Sequence, residues 1–327
     1  MDTLLASQLI GAPESPHPLM VEYLQRHDVC GQIIERGFAE VPWGDLRPLF
    51  NQAQLGLERL ILKETETRRQ HFRVPDQLWQ RDEIGEEYEI GLLVKRRGDK
   101  KKQLSILEAS EKRLRFDGNK YRFHYHSSLL EHLYQKDRSI ISTYADLLGP
   151  CALFNAAGYH IALAMSALFD ELNRKEATGK QYPGSLLAQT LQSMVVTRLL
   201  QYMVSPALGV DAAVHRDRGC FTMHWLSSNP GLVLFDHEGK ARSAHEHDPH
   251  MMLIFPSVKF WVITRERFGL GLFHGAKDTR RDSGALAEEA MRYVAVTFSH
   301  AALGTDDLSW LTQHIDDPRL ESSRFVM

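Results

Sequence analysis

Residues 215–226, HRDRGCFTMHWL, decide how this chain is read. In an extended strand, side chains i and i+2 point to one face. His215 and Asp217 can therefore offer an imidazole nitrogen and a carboxylate oxygen to the same metal ion. The third ligand must come from elsewhere, and His274, in Leu272-Phe273-His274-Gly275, ends an expected strand 57 residues after Asp217. Two histidines and one carboxylate on one side of an ion leave three coordination positions open for small ligands. H-x-D alone is a weak signal, because a surface strand with an ion pair spells the same letters; the order of residues around it gives it weight.

On both sides of that stretch the chain is a series of short segments rich in Val, Ile, Phe, Trp and Thr, separated by turn residues. They are Arg198–Met203, Phe221–Leu226, Gly231–Asp236, Met251–Phe255, Val258–Thr264, Phe268–Phe273 and Arg292–Phe298. Strands at this spacing without helices between them predict a sandwich or jelly roll. Upstream the pattern is mixed. Glu22–Arg36 and Leu46–Leu62 read as helices around a short strand at Gly37–Val41, and residues 138–175 read as one or two long helices. Leu153, Ala157, Ile161, Ala164, Leu168 and Leu172 form an apolar stripe there. Tyr88–Lys95 and Gln103–Leu107 suggest a hairpin around Arg97-Gly98-Asp99, and Ala177–Ser185 a loop. The expected fold is mixed α/β (α+β): a double-stranded β-helix (jelly roll) core over 191–300, a largely helical region over 1–190 packed on it in one globular unit, and a tail over 301–327.

His215-x-Asp217-x-Gly219-x-x-Thr222, followed by Pro230-Gly231-Leu232, resembles the H-x-D-x-G-x-x-T…G-L pattern of the isopenicillin N synthase-like dioxygenases. Arg198-Leu199-Leu200-Gln201-Tyr202 resembles the strand before that motif, and Arg292–Phe298 the last core strand. The likeness is specific over 196–299 and loose over 20–175. It implies Fe(II) held by His215, Asp217 and His274, with 2-oxoglutarate as cosubstrate and O2 as oxidant. It also implies that Arg292 pairs with the far carboxylate of 2-oxoglutarate. Succinate and carbon dioxide would accompany hydroxylation, desaturation or cyclisation of a small-molecule substrate. Asp217 fills the position a halide would need in related halogenases. The chain departs from the family where Val294 replaces the serine of R-x-S. Tyr202 is a candidate replacement hydroxyl, and Arg281-Asp282-Ser283, in a long loop before Arg292, spells R-x-S itself. These departures keep open an Fe(II)/O2 oxidase of the same fold that does not use 2-oxoglutarate. A non-catalytic jelly-roll binding protein is the reading from another class.

The whole chain of 327 residues has a formal net charge of -3, which argues against a nucleic-acid partner. The basic run Lys95–Lys102 reads as a solvated hairpin tip, since no aromatic platform is interleaved with it. No stretch reads as a signal peptide or a membrane-spanning helix. Cys30, Cys151 and Cys220 are far apart and odd in number, which fits a reducing, cytoplasmic setting. His160 on the long helix reads as a packed or surface histidine, and the pair His124 and His126, with His237, His245, His247 and His250, as solvated or substrate-facing residues rather than second metal sites. Cys220 reads as a small packing residue.

Overall fold

The computed structural model describes residues 15–62, 80–81, 87–88, 90–95, 120–175, 181–202, 210–269, 271–277 and 291–314. In chain order, α1 (Pro18–Arg26) and α2 (Val29–Arg36) lead into β1 (Ala39–Pro42) and α3 (Arg47–Leu62). Three strands follow, β2 (Gln80–Arg81), β3 (Glu87–Tyr88) and β4 (Gly91–Lys95), then β5 (Lys120–Tyr125). The helices α4 (Ser127–Lys136), α5 (Arg138–Thr143), α6 (Ala145–Lys175) and α7 (Leu186–Leu191) come next. The remainder is β6 (Val195–Tyr202), β7 (Val210–His215), β8 (Phe221–Ser227), β9 (Leu232–Phe235), β10 (Ala241–Ser243), β11 (Met251–Pro256), α8 (Val258–Thr264), β12 (Phe273–Lys277), β13 (Arg292–Ser299) and α9 (Thr305–His314).

A large sheet has the order β1-β11-β8-β13-β6-β5-β4, and a small one the order β10-β9-β12-β7. From β6 to β13 the chain passes back and forth between the two sheets, and its neighbours pair antiparallel. This is the jelly-roll winding. The helical region is joined to it covalently and through the sheet: β1 pairs with β11, and β5 with β6.

The strand period of two sorts the large sheet into two faces. On β13, Val294, Val296 and Phe298 join Leu200 and Tyr202 of β6, and Ala212 and Ala276 of the small sheet, in one buried cluster between the sheets. Tyr293 and Ala295 point the other way, into the larger core shared with the helices. There Phe154 of α6 lies against Trp225 (ring centroids 5.3 Å apart), and the Trp225 indole donates to the Thr297 hydroxyl. The helix α6 is long and apolar enough to cross a membrane, with a mean hydropathy of 1.4 over its most apolar 18 residues. That departs from the expectation of no such segment. Most of the stretch is buried here, with α6 packed on α1, α3, α7 and the sheet. His160 is buried in α6, edge-on to His17.

Three expected elements differ. The Glu22–Arg36 helix is two helices, because Asp28 adopts the left-handed conformation (φ 47°) between them. Val258–Thr264, expected as a strand, is the helix α8, with all seven residues buried. A short apolar run buried on every side has no periodicity that separates strand from helix. Of the expected strand Phe268–Phe273, the described residues before β12 are irregular, since Gly269 and Gly271 sit at φ +105° and +77°, outside the pleated range. The strand β4 pairs with β5, while Gln103–Leu107, Arg96–Lys102 and Arg280–Ser283 lie outside the described residues.

The α3–α6 contact depends on Gly56, where an added Cβ would stand 2.7 Å from Leu147 Cβ and 2.8 Å from its backbone nitrogen. Gly56→Ala should lower stability by about 1–3 kcal/mol through overpacking. Exposed Gly149, inside α6 with nothing within 4 Å of its added Cβ, is the control: Gly149→Ala should raise stability by about 0.5–1 kcal/mol. Urea titration of both variants checks the pair, and equal effects would contradict the close approach.

Candidate metal centre

The pairing of β12 with β7 sets His274 directly across from His215. Their rings are 4.4 Å apart between centroids. The strand β7 ends at His215, so the expected alternation along a strand does not place Asp217. Asp217 is instead held by a turn. Its carbonyl accepts from Val258 N (3.0 Å), and the carbonyls of Gly219 and Cys220 accept from Lys259 N (2.9 Å) and Ser257 N (2.8 Å). The open N–H groups at the start of α8 thus anchor the loop after the first ligand, which is why a helix stands where a strand was expected. Gly219 is required there, since an added Cβ would lie 2.4 Å from the Ser299 carbonyl oxygen.

The turn brings Asp217 between the two imidazoles. His215 Nε2 is 3.7 Å from Asp217 Oδ1, and His274 Nε2 is 3.4 Å from Oδ2. The three candidate ligand atoms lie within 4.8 Å of one another. A divalent first-row ion with bonds of about 2.1 Å holds neighbouring donors about 3 Å apart, so small side-chain adjustments complete the set. His274 Nδ1 lies 3.3 Å from the Leu272 carbonyl, an acceptor only. The proton therefore sits on Nδ1 and the Nε2 lone pair faces the centre. The Thr222 hydroxyl donates to Asp217 Oδ2 (2.7 Å) and neighbours the Ser257 hydroxyl (3.0 Å). Burial pushes the Asp217 carboxyl up, but His274, His215, the Thr222 hydroxyl and Arg198 outweigh it and hold it below the usual carboxylate range. The carboxylate is thus charged and oriented.

Arg292 and Tyr202 line the same cavity as the triad. Arg292 is 2% exposed; its Nε donates to the Asn229 carbonyl (3.2 Å) and its Nη2 to Ser227 Oγ (3.2 Å). Tyr202 offers its ring face, with the Arg292 Cζ 5.5 Å from the centroid. The hydroxyl beside Arg292 comes from Ser227, which stands directly across the sheet from Val294. The sequence reading missed Ser227, and only strand register could have found it. Ser227 also lies 3.3 Å from His224 Nε2. Burial and the nearby Arg292 and His274 push His224 down to about 3, so it is neutral and can accept a hydrogen bond from the serine hydroxyl.

Several other histidines meet partners elsewhere in the protein. His237 Nε2 meets the Ile33 carbonyl, His245 pairs with Glu40, and His126 caps α4. Among the described residues the triad is the group that could hold a metal ion.

No family model matches the sequence, and no curated protein matches it. Solved structures do match. A 2OG-Fe(II) oxygenase family protein from Caulobacter crescentus has a TM-score of 0.57 at 14% identity, over 90% of this chain and 94% of that one. Dioxygenase for auxin oxidation 1 from Arabidopsis thaliana, in its 2-oxoglutarate complex, has a TM-score of 0.52 at 11% identity, over 86% and 90%. A full-length protein from Neurospora crassa, in complex with α-ketoglutarate and 5-formyluracil, has a TM-score of 0.52 at 11% identity, over 94% and 93%. This chain has the fold of those proteins along nearly its whole length.

His215→Ala, Asp217→Ala and His274→Ala should each abolish stoichiometric Fe(II) binding in anaerobic calorimetry while the far-ultraviolet circular dichroism is kept. Thr222→Val should weaken binding by roughly 10–100-fold, as loss of a hydrogen bond to a ligand does. A triad variant with undiminished binding would remove that residue from the ligand set.

Proposed function

We propose that the chain is a mononuclear non-haem iron(II) dioxygenase that consumes 2-oxoglutarate and oxidises a small-molecule substrate. The observation that carries this reading is a two-histidine, one-carboxylate triad in the same cavity as a buried arginine. The donor set suits iron(II), since imidazoles and a carboxylate on one side leave positions for a keto acid and dioxygen. Bound there, iron(II) supplies the oxygen activation that couples decarboxylation of 2-oxoglutarate, to succinate and carbon dioxide, with oxidation of a substrate C–H bond. Asp217 in the ligand set favours hydroxylation, desaturation or cyclisation over halogenation.

The rest is done by protein side chains. Arg292 presents a fixed fork that suits the far carboxylate of 2-oxoglutarate, a fit lysine does not reproduce. Ser227 and the Asn229 carbonyl fix that fork, and the Tyr202 ring backs it. A hydroxyl does stand beside Arg292, that of Ser227 across from Val294, and it supports the reading with 2-oxoglutarate over the oxidase that omits it. Leu200, Val294, Val296 and Phe298 give the cavity apolar walls that keep water away from the reacting atoms. The motif order His215-x-Asp217-x-Gly219-x-x-Thr222 supports an isopenicillin N synthase-like arrangement. The 5-formyluracil held by the Neurospora crassa protein, and the auxin oxidation for which the Arabidopsis thaliana one is named, support a small-molecule substrate. Three unbonded cysteines support a cytoplasmic setting.

Anaerobic addition of 2-oxoglutarate to the Fe(II) protein should raise a weak visible charge-transfer band, absent in His274→Ala. Iron binding without the band would instead favour the oxidase that does not use 2-oxoglutarate. Arg292→Ala should weaken 2-oxoglutarate binding by about 2–5 kcal/mol, the usual loss when one partner of a buried charged pair is truncated. Arg281→Ala should change it far less, and the reverse order would move the cosubstrate arginine into the loop before β13.

A further inference from the structure

Beside Arg292 the inner face of the large sheet is aliphatic on β6 and β13, where Leu200, Val294 and Val296 stand, but polar on β8. There His224 lines the cavity and the Ser227 hydroxyl bonds Arg292. Strict alternation does not allow both on one face, since they stand three positions apart and strand side chains repeat every two. The register with β13 explains it. Val296 pairs with His224, Ala295 with Leu226 and Val294 with Ser227. Trp225 is the extra residue, so β8 carries a β-bulge there. Trp225 and Leu226 both turn to the core shared with the helices. Trp225 is fixed on that side by its bond to Thr297 and by the Phe154 and Trp43 rings, with centroids 5.3 and 5.7 Å away. Bulges re-aim side chains next to functional sites, and this one brings a histidine and a serine to the same wall.

The pair continues into Arg292. Arg292 Nη2 donates to Ser227 Oγ (3.2 Å), which lies 3.3 Å from His224 Nε2. A guanidinium only donates, so the serine oxygen accepts from Arg292 and its own proton is left for another acceptor. The His224 ring, neutral beside Arg292, offers one at Nε2. A serine hydroxyl turns about its Cβ–Oγ bond unless both its donor and its acceptor side are engaged. With both engaged it is a fixed peg. The backbone of the peg is fixed as well, because the Ser227 N–H donates to the Glu246 carbonyl (2.7 Å). Arg292 Nε is held separately by the Asn229 carbonyl (3.2 Å). Bonds at Nε and at Nη2 stop the guanidinium from pivoting about its stem. A pivoting fork would meet a far carboxylate at several distances from the triad, whereas a pinned one meets it at a single distance.

We propose that His224 is a positioning residue for the cosubstrate: through the Ser227 hydroxyl it holds the Arg292 fork at the distance that selects a five-carbon 2-oxo diacid over a longer one. This rests on the dioxygenase reading above. An imidazole and a hydroxyl buried in a wall each cost desolvation free energy unless they are hydrogen-bonded. The bond between them offsets that cost, and the bond to Arg292 puts the pair to use. The effect of His224 reaches the ligand through Ser227 and Arg292.

The test uses the full chain loaded with Mn(II) in place of iron, under argon, so that binding is read without turnover. Calorimetry measures 2-oxoglutarate and 2-oxoadipate, which is one methylene longer. The parent should prefer 2-oxoglutarate by about tenfold or more, the scale of one misfitting methylene. His224→Leu should weaken 2-oxoglutarate by roughly three- to tenfold, the scale of one neutral hydrogen bond, and narrow the preference over 2-oxoadipate. Ser227→Ala should do the same. The His224→Leu/Ser227→Ala double variant should be no weaker than Ser227→Ala alone, because the two residues act as one unit. His224→Gln sets an amide near the position of the imidazole Nε2 and should restore both affinity and preference. If His224→Leu does not fold, His224→Met is read by the same criteria. The proposal is overturned by a parent that binds both acids alike, by a His224→Leu that keeps affinity and preference, or by losses that add in the double variant. It is equally overturned if His224→Gln behaves as His224→Leu does, since the ring would then serve packing alone. Failure of the parent protein to take up Mn(II) and 2-oxoglutarate is a separate outcome, which removes the dioxygenase reading and this one with it.

Discussion

The rung at which β12 meets β7 is the constraint on which the site depends. It sets His274 opposite His215, and a slip of one residue would turn His274 to the other face of its sheet. The pairing alone yields two imidazoles. The carboxylate between them requires the chain to leave β7 at once, which Gly219 permits and α8 enforces through its first N–H groups. Thr222 then orients the carboxylate from the next strand. The three candidate ligands, on a strand, a turn and a facing strand, are thereby positioned by backbone hydrogen bonds.

The large sheet has a second role as a partition. Its inner face carries alternate residues of β6 and β13 into the cavity, and its outer face is sealed by α6 and the aromatic contacts around Trp225. Because β13 is buried on both faces, each of its residues serves one side. Arg292 can be held in the cavity while Tyr293, its neighbour, bonds Gln201 on the other face. Local rigidity of this kind is what a charged side chain needs if it is to select one ligand geometry.

Much of this was legible in the chain. The triad could be read because its residues have few interchangeable types and stand in a fixed order with Gly219 and Thr222. Most strands could be read from their β-branched and aromatic content. What escaped was information that exists only between strands. Ser227 places a hydroxyl beside Arg292 across from position 294, yet the two are far apart in sequence and meet through register alone. Val258–Thr264 was mistaken for a strand because burial on all sides erased its periodicity, and its helix is set by the loop carbonyls it binds. The contribution of the first half of the chain to the large sheet was equally hidden, since β1 finds its partner only in β11.

The strand order has a consequence for how the molecule is made. The central strand of the seven, β13, is the last of them in sequence. Until residues 292–299 leave the ribosome, the sheet exists only as two halves, β1-β11-β8 and β6-β5-β4, each with an unpaired edge. Unpaired edges invite association with other chains, and pairings so distant in sequence form slowly. Biogenesis is therefore a late closure event, in which one segment joins the halves and delivers Arg292 to the cavity in the same step.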